Sequence, residues 1–482
     1  MNLSQPDRLN SQALGGQELL GGIPGCFQPS VVNPRLFFSI VAALLTLTAG
    51  LDAATRPNIV LIISDDQAWT DYSFMGHAHI RTPHLDRLAS QSLVFRHGYV
   101  PASLCCPSLA SMLSGKYPHQ HKVTSNDPPL PRGSGLTPDQ SSKDATFLKQ
   151  RAEMQGFIKQ TPTLTSLLAK HGYLSFQAGK WWQGHFSSGG FTHGMTTGDA
   201  TKGGRHGDEG LKIGRQTIQP VFDFIDMAAS EKKPFFLWYA PMMPHDPHTP
   251  PERLLTKYRD QTNSIHVARY WAMVEWFDET CGQLLDLLDR KDLARDTIVV
   301  FLTDNGWIQN AHTNRYAPKS KQSQYDGGLR TPILLRWPGR VAPRTSPELA
   351  SSLDLMPTLL TAASVPCPAG LPGLNLLDDS KMAARRAVFG ECFTHNAVDI
   401  RNPASSLRWR WMVEDEWKVI VPALWNEPEA KIELYNLAAD PTEETDLSSQ
   451  EPARSRRMRA QVDAWWSPKP AGREIALPPK AR

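Results

Sequence analysis

The sequence predicts an α/β fold: a large, mixed but mostly parallel central sheet flanked by helices, with a smaller C-terminal α+β domain that carries an antiparallel sheet. Short apolar runs alternate along the chain with segments of helical apolar spacing, an order typical of layered α/β proteins. Several of these runs contain no charged residue, as expected for strands buried on both faces. From about Arg385 the pattern changes to aromatic-rich alternation, which indicates antiparallel strands.

The individual elements follow from local signals in chain order. Helix starts are marked by Pro in the first turn, helix ends by Gly, and loops by clusters of Pro, Gly and Ser. On these signals we predict strands over 57–64, 93–99, 173–178, 234–240 and 297–303, helices over 82–91, 108–113, 161–172, 217–230 and 268–290, and exposed loops over 126–144 and 186–214. For the C-terminal domain we predict strands over 406–413, 417–421 and 433–437 and a helix over 452–466.

The composition excludes some classes of function. The 482 residues carry a formal net charge of only +3, with both signs mixed along the chain. Because nucleic-acid-binding proteins carry a concentrated basic surface, we expect no nucleic acid partner. The six cysteines are too scattered for a dense disulfide framework, and their spacing leaves any pairing open.

The N-terminal region has the pattern of an export signal. Arg35 precedes an apolar run over residues 36–49, and small residues follow as far as Ala54. The run is shorter than the roughly 20 residues of a bilayer span, and this order of segments is typical of a secretory signal; a buried N-terminal helix is the alternative. We predict an exported protein, periplasmic or extracellular, with no stable membrane insertion. The predicted divisions are a leader and signal peptide over 1–54, a catalytic domain over 55–384, and a C-terminal subdomain over 385–482 with a disordered tail after Lys469.

Polar side chains follow two of the predicted strands directly. Asp65 and Asp66 come after the first strand, and Asp304 and Asn305 come after the strand over 297–303. Ligands of α/β sheets bind outside the carboxyl ends of the strands, and oxygen donors suit Ca²⁺ or Mg²⁺. The two pairs together predict a divalent cation site, although either pair alone is also typical of a helix cap.

The segment from Ser103 to Gly115 places Cys105 close to the start of a helix. Free backbone N–H groups and the helix dipole favour an anion there, and they also favour the thiolate form of a cysteine. The segment is therefore suited to holding a negatively charged group beside a modifiable sulfur. A capped helix with two small buried cysteines is the alternative.

Cys105, Pro107 and Ser108, followed by a small-residue helix and by Gly-Lys-Tyr-Pro-His-Gln-His, resemble the signature of the formylglycine-dependent sulfatases of the alkaline phosphatase superfamily. In that family the signature cysteine is oxidised to formylglycine after synthesis. The resemblance implies formylglycine at Cys105, a formylglycine-generating enzyme as the partner during maturation, and a sulfated small molecule or glycan as substrate. Sulfated carbohydrates are the expected class.

The resemblance also implies roles for residues outside the signature. It assigns Asp65, Asp66, Asp304 and Asn305 to a cation, usually Ca²⁺ with Mg²⁺ as the alternative, which also contacts the modified Cys105. Lys180 matches the family's Gly-Lys-Trp segment, and Lys321 matches its Lys-x-x-x-Tyr-Glu-Gly-Gly-x-Arg segment, in which Asp326 here replaces Glu. In the family both lysines bind sulfate oxygens. His245 matches the histidine of the Pro-His loop that protonates the leaving oxygen, and His248 is a further candidate for substrate contact.

The mechanism that this resemblance implies uses the two hydroxyls of the hydrated aldehyde. One hydroxyl, activated by the cation, attacks the sulfur of the ester while His245 protonates the departing alcohol. The second hydroxyl then expels sulfate and regenerates the aldehyde.

Besides Asp326, three positions depart from the family pattern. Leu109 stands where the signature has arginine, Trp182 stands where many members carry the histidine of Gly-Lys-Trp-His, and Met242 replaces the first histidine of the Pro-His loop. Two other functions therefore stay open. One is a phosphate or phosphonate ester hydrolase of the same superfamily, and the other is a catalytically impaired protein that binds sulfated glycans.

Overall fold

The computed structural model describes Gly25 and residues 56–131, 133, 135–137, 140–199, 202 and 204–470. The predicted leader and signal peptide, apart from Gly25, and the predicted tail from residue 471 onward lie outside these residues. The chain from Arg56 onward forms one unit. The predicted boundary at residue 385 stays a prediction.

In the part of the chain that the structure describes, twelve strands form two sheets. The strands are β1 (Asn58–Ser64), β2 (Leu93–Tyr99), β3 (Leu174–Gly179), β4 (His193–Gly194), β5 (Phe235–Ala240), β6 (Thr297–Thr303), β7 (Arg330–Arg336), β8 (Arg344–Ser351), β9 (Ala387–Phe393), β10 (Leu407–Glu414), β11 (Trp417–Pro422) and β12 (Glu433–Asn436). The large sheet has eight strands in the order β4-β3-β5-β1-β6-β7-β2-β8. All of its pairs are parallel except β6/β7 and β2/β7, so the predicted mixed, mostly parallel sheet is confirmed.

The α-helices of the described residues are α1 (Pro83–Ser90), α2 (Cys105–Ser114), α3 (Pro118–His121), α4 (Ala145–Phe157), α5 (Leu164–Ala169), α6 (Gln219–Ser230), α7 (Glu252–Arg259), α8 (Ile265–Arg290), α9 (Asp326–Leu329), α10 (Leu355–Ala362), α11 (Asp379–Ala384) and α12 (Pro452–Trp465). The sequence signals did not predict α4, because its few buried residues give no clear helical stripe. They also did not predict β8, whose first residues are mostly exposed.

Helices cover both faces of the large sheet. Alternate residues of β1 show this, because Ile59 and Leu61 pack into the core that contains α2, whereas Val60 and Ile62 pack into the core that contains α8. Successive side chains of a strand point to opposite faces, so an unbroken apolar run is what a doubly covered strand requires.

The C-terminal sheet is antiparallel, in the order β12-β11-β10-β9. One of its faces packs on α12 through a small apolar core that includes Met412, Leu434 and Met458. The predicted second sheet is therefore confirmed.

Two further expectations concern the chain as a whole. Cys105, Cys106, Cys281, Cys367 and Cys392 are all free thiols, so the described part of the chain contains no disulfide. Among the helices described, none has both the length and the apolar character needed to cross a membrane.

Candidate active site

The two acidic strand ends meet because β1 and β6 are parallel neighbours with Ser64 beside Thr303. Asp65 and Asp66 thus emerge next to Asp304 and Asn305. The backbone N–H of Asp66 donates to Asp304 Oδ1 at 3.1 Å, and Asn305 Nδ2 donates to Asp66 Oδ1 at 2.7 Å. All four residues are buried. The structure therefore brings together the oxygen donors that the sequence placed at two strand ends.

Two lysines lie against these carboxylates. Lys180 follows β3 and donates to Asp65 Oδ1 at 2.5 Å, and Lys321 donates to Asp66 Oδ2 at 2.7 Å. Their side chains are only 1% and 8% exposed, which is rare for lysine outside ion pairs. Burial by itself lowers the pKa of each ammonium, but the charge of Asp65 beside Lys180 and of Asp66 beside Lys321 outweighs it, and both pKa values lie above the usual range.

Several buried oxygens at this site accept no hydrogen bond, although Asp304 Oδ2 lies 3.5 Å from Lys180 Nζ. Within the described residues, Asp65 Oδ2, Asp304 Oδ2 and Asn305 Oδ1 have no hydrogen-bond partner. Unpaired buried polar atoms are rare in folded proteins and call for an explanation such as an ion. Carboxylate and amide oxygens are the donors that Ca²⁺ and Mg²⁺ prefer, so these residues fit a hard divalent cation.

The two acidic residues with the clearest pKa shifts behave differently. Burial by itself raises the pKa of Asp66, but Lys321 and His245 outweigh it and hold the pKa below its usual value. Burial and the neighbouring Asp65 raise the pKa of Asp304 to about 7, although Lys180 opposes the shift. The positive charge of the two lysines is therefore not enough to satisfy every carboxylate of the site.

Cys105 is the first residue of α2, which begins before the predicted helix over 108–113, with Leu104 as the N-cap and Gly115 as a left-handed C-cap (φ 64°). One possible ligand atom from each of Asp65, Asp66, Cys105 and His245 lies within 4.8 Å of the others. The expectation of a favoured thiolate is wrong. Burial raises the pKa of the Cys105 thiol to about 12, and the charges of Lys180 and Lys321 do not offset it.

His245 lies between two carboxylates. Its Nδ1 is 2.9 Å from Asp246 Oδ1 and 2.6 Å from the Asp246 backbone oxygen, both of which are acceptors. Its Nε2 is 3.3 Å from Asp66 Oδ2 and 3.5 Å from Lys321 Nζ. The Asp246 oxygens therefore place the Nδ1–H on their side and turn Nε2 toward the cluster.

The remaining predicted residues lie around this cluster. His248 packs its ring against Tyr270 and Trp307, with centroids 5.4 and 5.8 Å away, and its buried Nε2 has no hydrogen-bond partner in the described part of the chain. Leu109 is buried in the apolar core with Cys105. Trp182 is buried. Its ring meets the His206 ring edge-on, with the two centroids 4.8 Å apart.

Sequence reasoning missed two residues at the site. Asp246 is held ionised: burial by itself raises its pKa, but the hydrogen bond and charge of His245 outweigh it and leave the pKa below the usual range. Its position directly after His245 was the one available signal. Arg215, directly after the predicted loop over 186–214, donates to three backbone oxygens of the loop that carries His245, and nothing in the local sequence indicates this contact.

Two sequence families match the chain. The family described as Sulfatase matches residues 57–365, a range that includes every residue of the cluster. This chain belongs to the sulfatase family. The family described as N-sulphoglucosamine sulphohydrolase, C-terminal, matches residues 318–463, so the sulfatase pattern continues through the antiparallel sheet. Members of the family hydrolyse sulfuric esters, and the chain is therefore a sulfuric ester hydrolase.

Individual sulfatases support this assignment. Arylsulfatase A of Homo sapiens is 30% identical over 372 residues, which is 67% of this chain and 68% of that protein. N-acetylgalactosamine-6-sulfatase of Canis lupus familiaris is 29% identical over 377 residues, 69% of this chain and 68% of the relative. The crystal structure of Ps i-CgsB has a TM-score of 0.67 at 23% identity and covers 86% of this chain and 94% of its own, which shows a shared fold.

Proposed function

We propose that this sulfatase cleaves sulfate esters with a formylglycine formed from Cys105 and a divalent cation held by Asp65, Asp66, Asp304 and Asn305. The observation that carries the proposal is the buried cluster that joins an oxidisable sulfur, three oxygens that accept no hydrogen bond, and two ammonium groups. The hydrated aldehyde would supply the nucleophilic oxygen, and the cation would favour its ionised form. Ca²⁺ is the expected ion, with Mg²⁺ as the alternative.

Lys180 and Lys321 are proposed to bind the sulfate group. Both ammonium groups are buried and lie on the carboxylates that would hold the cation. Preorganised positive charge at the point where negative charge develops stabilises a transition state. Each ammonium has N–H groups that its carboxylate does not accept. An anionic oxygen of the sulfate ester placed between the two lysines would accept hydrogen bonds from them.

His245 is proposed to protonate the leaving oxygen. With Nδ1 held by Asp246, its Nε2 faces the cluster, and a histidine can act as a general acid near neutral pH. Asp246 would stabilise the charged ring before the proton is transferred. His248 is proposed to contact the substrate beyond His245.

The proposed substrates are sulfated carbohydrates. The names of relatives such as N-acetylgalactosamine-6-sulfatase favour this class. The apolar run after Arg35 supports export, and oxidation of Cys105 requires a formylglycine-generating enzyme. Leu109 changes the motif that this enzyme would read, which makes the state of Cys105 the first quantity to measure.

The deciding experiment is mass analysis of the tryptic peptide from His97 to Lys116, after co-expression with a formylglycine-generating enzyme. Conversion of the thiol to an aldehyde lowers the mass, and fragment ions distinguish Cys105 from Cys106. We expect conversion at Cys105 together with hydrolysis of aryl sulfate and of members of a panel of sulfated sugars. An unmodified thiol without turnover would overturn the proposal in favour of a glycan-binding protein, and a preference for aryl phosphate would favour a phosphoester hydrolase.

The matched control is Cys106→Ala. Cys106 is buried beside Cys105, but its thiol faces Gln183, whose Nε2 donates to Cys106 Sγ at 3.1 Å. We expect Cys105→Ala to abolish turnover and Cys106→Ala to retain it. Equal loss in both variants would contradict the assignment of the modified residue.

A further inference from the structure

The loop that carries His245 has no regular secondary structure to fix it. Residues 241–251 connect β5 to α7 and contain neither helix nor strand apart from an isolated bridge between Asp65 and Pro244. The Met243 oxygen accepts the Asp65 N–H at 2.9 Å, but the oxygens of Met242, His245 and Pro247 have no backbone partner in the described structure, and buried carbonyls need partners of another kind. The position of the His245 ring depends on what binds these carbonyls.

The Arg215 guanidinium binds them. Arg215 Nε and Nη2 donate to the backbone oxygen of Met242 at 3.0 and 2.8 Å, and Nη2 also donates to the backbone oxygen of His245 at 2.5 Å. On the other side of the fork, Nη1 donates to the backbone oxygen of Pro247 at 2.9 Å and to Thr249 Oγ1 at 3.4 Å. One side chain thus contacts the loop before, at and after His245.

The backbone beside Arg215 is shaped for this contact. Gly214 has a positive φ of 80°, and a Cβ atom there would lie 2.9 Å from both Met243 Sδ and Pro241 Cβ. Only glycine allows so close an approach without displacing the loop. The rigid planar fork of arginine matches several carbonyls at once, which the single ammonium of lysine does not.

We infer that Arg215 is a positioning residue for the sulfatase reaction: it fixes the loop so that His245 Nε2 faces the leaving oxygen. The inference rests on the proposed role of His245 as the proton donor. Arg215 would not contact the substrate itself. Its removal should therefore weaken proton donation to the leaving group and leave the binding of the sulfate group nearly intact.

The test is a series of aryl sulfates whose phenols differ in pKa, together with one sulfated sugar. A poor leaving group needs a proton donor, whereas a good one departs as the phenolate. For Arg215→Gln we expect kcat to fall about 10²-fold on the sugar sulfate, of the order that general acid catalysis contributes, and less than about 5-fold on the best phenol, with KM nearly unchanged. Arg215→Lys should lie between this variant and the parent protein, which keeps the test decisive if the Gln variant folds poorly.

The matched control is Arg410→Gln. Arg410 lies on β10 of the C-terminal sheet. It also donates to a backbone carbonyl, that of Trp466, and it pairs with Asp463 of α12 at 2.8 Å. We expect a similar loss of thermal stability in this variant without any dependence on the leaving group. A uniform loss across the series in the Arg215 variants, equal to that of the control, would overturn the inference.

His245→Gln separates the inference from the proposed function. If His245 donates the proton, this variant is itself sensitive to the leaving group, and adding Arg215→Gln causes no further sensitivity, because residues that act as a unit are not additive. If His245→Gln is insensitive to the leaving group, the proposed role of His245 fails. If it is sensitive while both Arg215 variants are insensitive, only the inference about Arg215 fails.

Discussion

Two buried groups of charges in this protein are built in opposite ways. The sheet-end cluster consists of Asp65, Asp66, Lys180, Asp304, Asn305 and Lys321. The Lys418 cluster consists of Lys418 on β11, Asp326 at the start of α9, and Glu443 after β12. In the sheet-end cluster, three oxygens of the described structure have no hydrogen-bond partner.

In the Lys418 cluster every carboxylate oxygen lies within 3.1 Å of a donor atom, although Glu443 Oε1 meets Lys418 as an ion pair and accepts no hydrogen bond. Lys418 Nζ lies 2.8 Å from Asp326 Oδ1 and 2.9 Å from Glu443 Oε1. The Tyr99 hydroxyl donates to Asp326 Oδ2 at 3.1 Å, and the Asp326 backbone N–H donates to Glu443 Oε2 at 2.6 Å. Burial of charge therefore does not by itself mark a functional site. What sets the sheet-end cluster apart is that no hydrogen bond or ion pair of the described structure reaches Asp65 Oδ2 or Asn305 Oδ1, which leaves both oxygens free for a ligand.

The Lys418 cluster supports the sheet-end cluster. The segment from Lys319 to Asp326 carries Lys321 into the sheet-end cluster, and the C-terminal part of the chain holds both ends of this segment. Lys319 Nζ donates to the backbone oxygen of Glu443 at 2.5 Å, while Glu443 and Lys418 hold Asp326. The antiparallel sheet therefore helps to position a residue of the proposed active site.

The largest expected effect comes from breaking the sheet-end cluster with Asp304→Ala. We expect turnover of aryl sulfate to fall by about 10³-fold or more, since developing charge loses its stabilisation. The cation-free variant should also lose stability, because Asp304 Oδ1 accepts the buried backbone N–H groups of Asp66 and Asn305 and the substitution leaves both donors without an acceptor. Added Ca²⁺ should raise the melting temperature of the parent protein by ligand linkage but not that of the variant. A Ca²⁺-dependent rise that survives in Asp304→Ala would show that this residue does not hold a cation.

The next effect comes from breaking the Lys418 cluster with Lys418→Met. Removing one partner of a buried ion pair leaves an uncompensated charge and costs about 3–5 kcal/mol, so we expect a loss of about 3 kcal/mol in urea unfolding. Lys233→Met is the control, because Lys233 is 48% exposed and pairs with Glu231 at 2.7 Å; it should cost less than about 1 kcal/mol. Equal small losses in both variants would mean that the Lys418 cluster is not structural.

The smallest effect concerns a buried carboxyl that has hydrogen bonds but no cation. Asp278 of α8 accepts the backbone N–H groups of His84 and Leu85 at 3.1 and 2.7 Å, yet burial raises its pKa to about 7. An unfolded Asp titrates near 4, so its contribution to stability is complete below about pH 4 and is lost as the pH rises through about 7. Asn at this position cannot titrate.

As the pH rises from 5 to 8, we therefore expect the parent protein to lose on the order of 2 kcal/mol of unfolding free energy relative to Asp278→Asn. Urea unfolding of both proteins at the two pH values measures this shift. Because other titrating groups are common to both proteins, parallel pH profiles would contradict the raised pKa of Asp278.

The sheet and much of the site were predictable because their signals are local. Apolar runs marked β1, β5 and β6, and the residues directly after β1 and β6 supplied the oxygen donors. The Cys105 segment and the two lysines carried the family resemblance. The helix α4 and the contact between Arg215 and the His245 loop were not predictable. The helix α4 lacks a periodic apolar face. The Arg215 contact joins residues 27–32 positions apart, and its acceptors are main-chain carbonyls, which every residue type carries.

Local sequence signals were enough to place Asp65, Asp66, Asp304 and Asn305 at strand ends and Cys105 near the start of a helix, and to show the resemblance to the sulfatases. Only the tertiary structure decided which oxygens remain unpaired, that the Cys105 thiol is buried and protonated, and that Arg215 and Glu443 hold the loops of His245 and Lys321. The physical reason is that strand periodicity and helix capping are fixed by neighbours along the chain. Desolvation and hydrogen-bond satisfaction depend on atoms that folding brings together from distant positions.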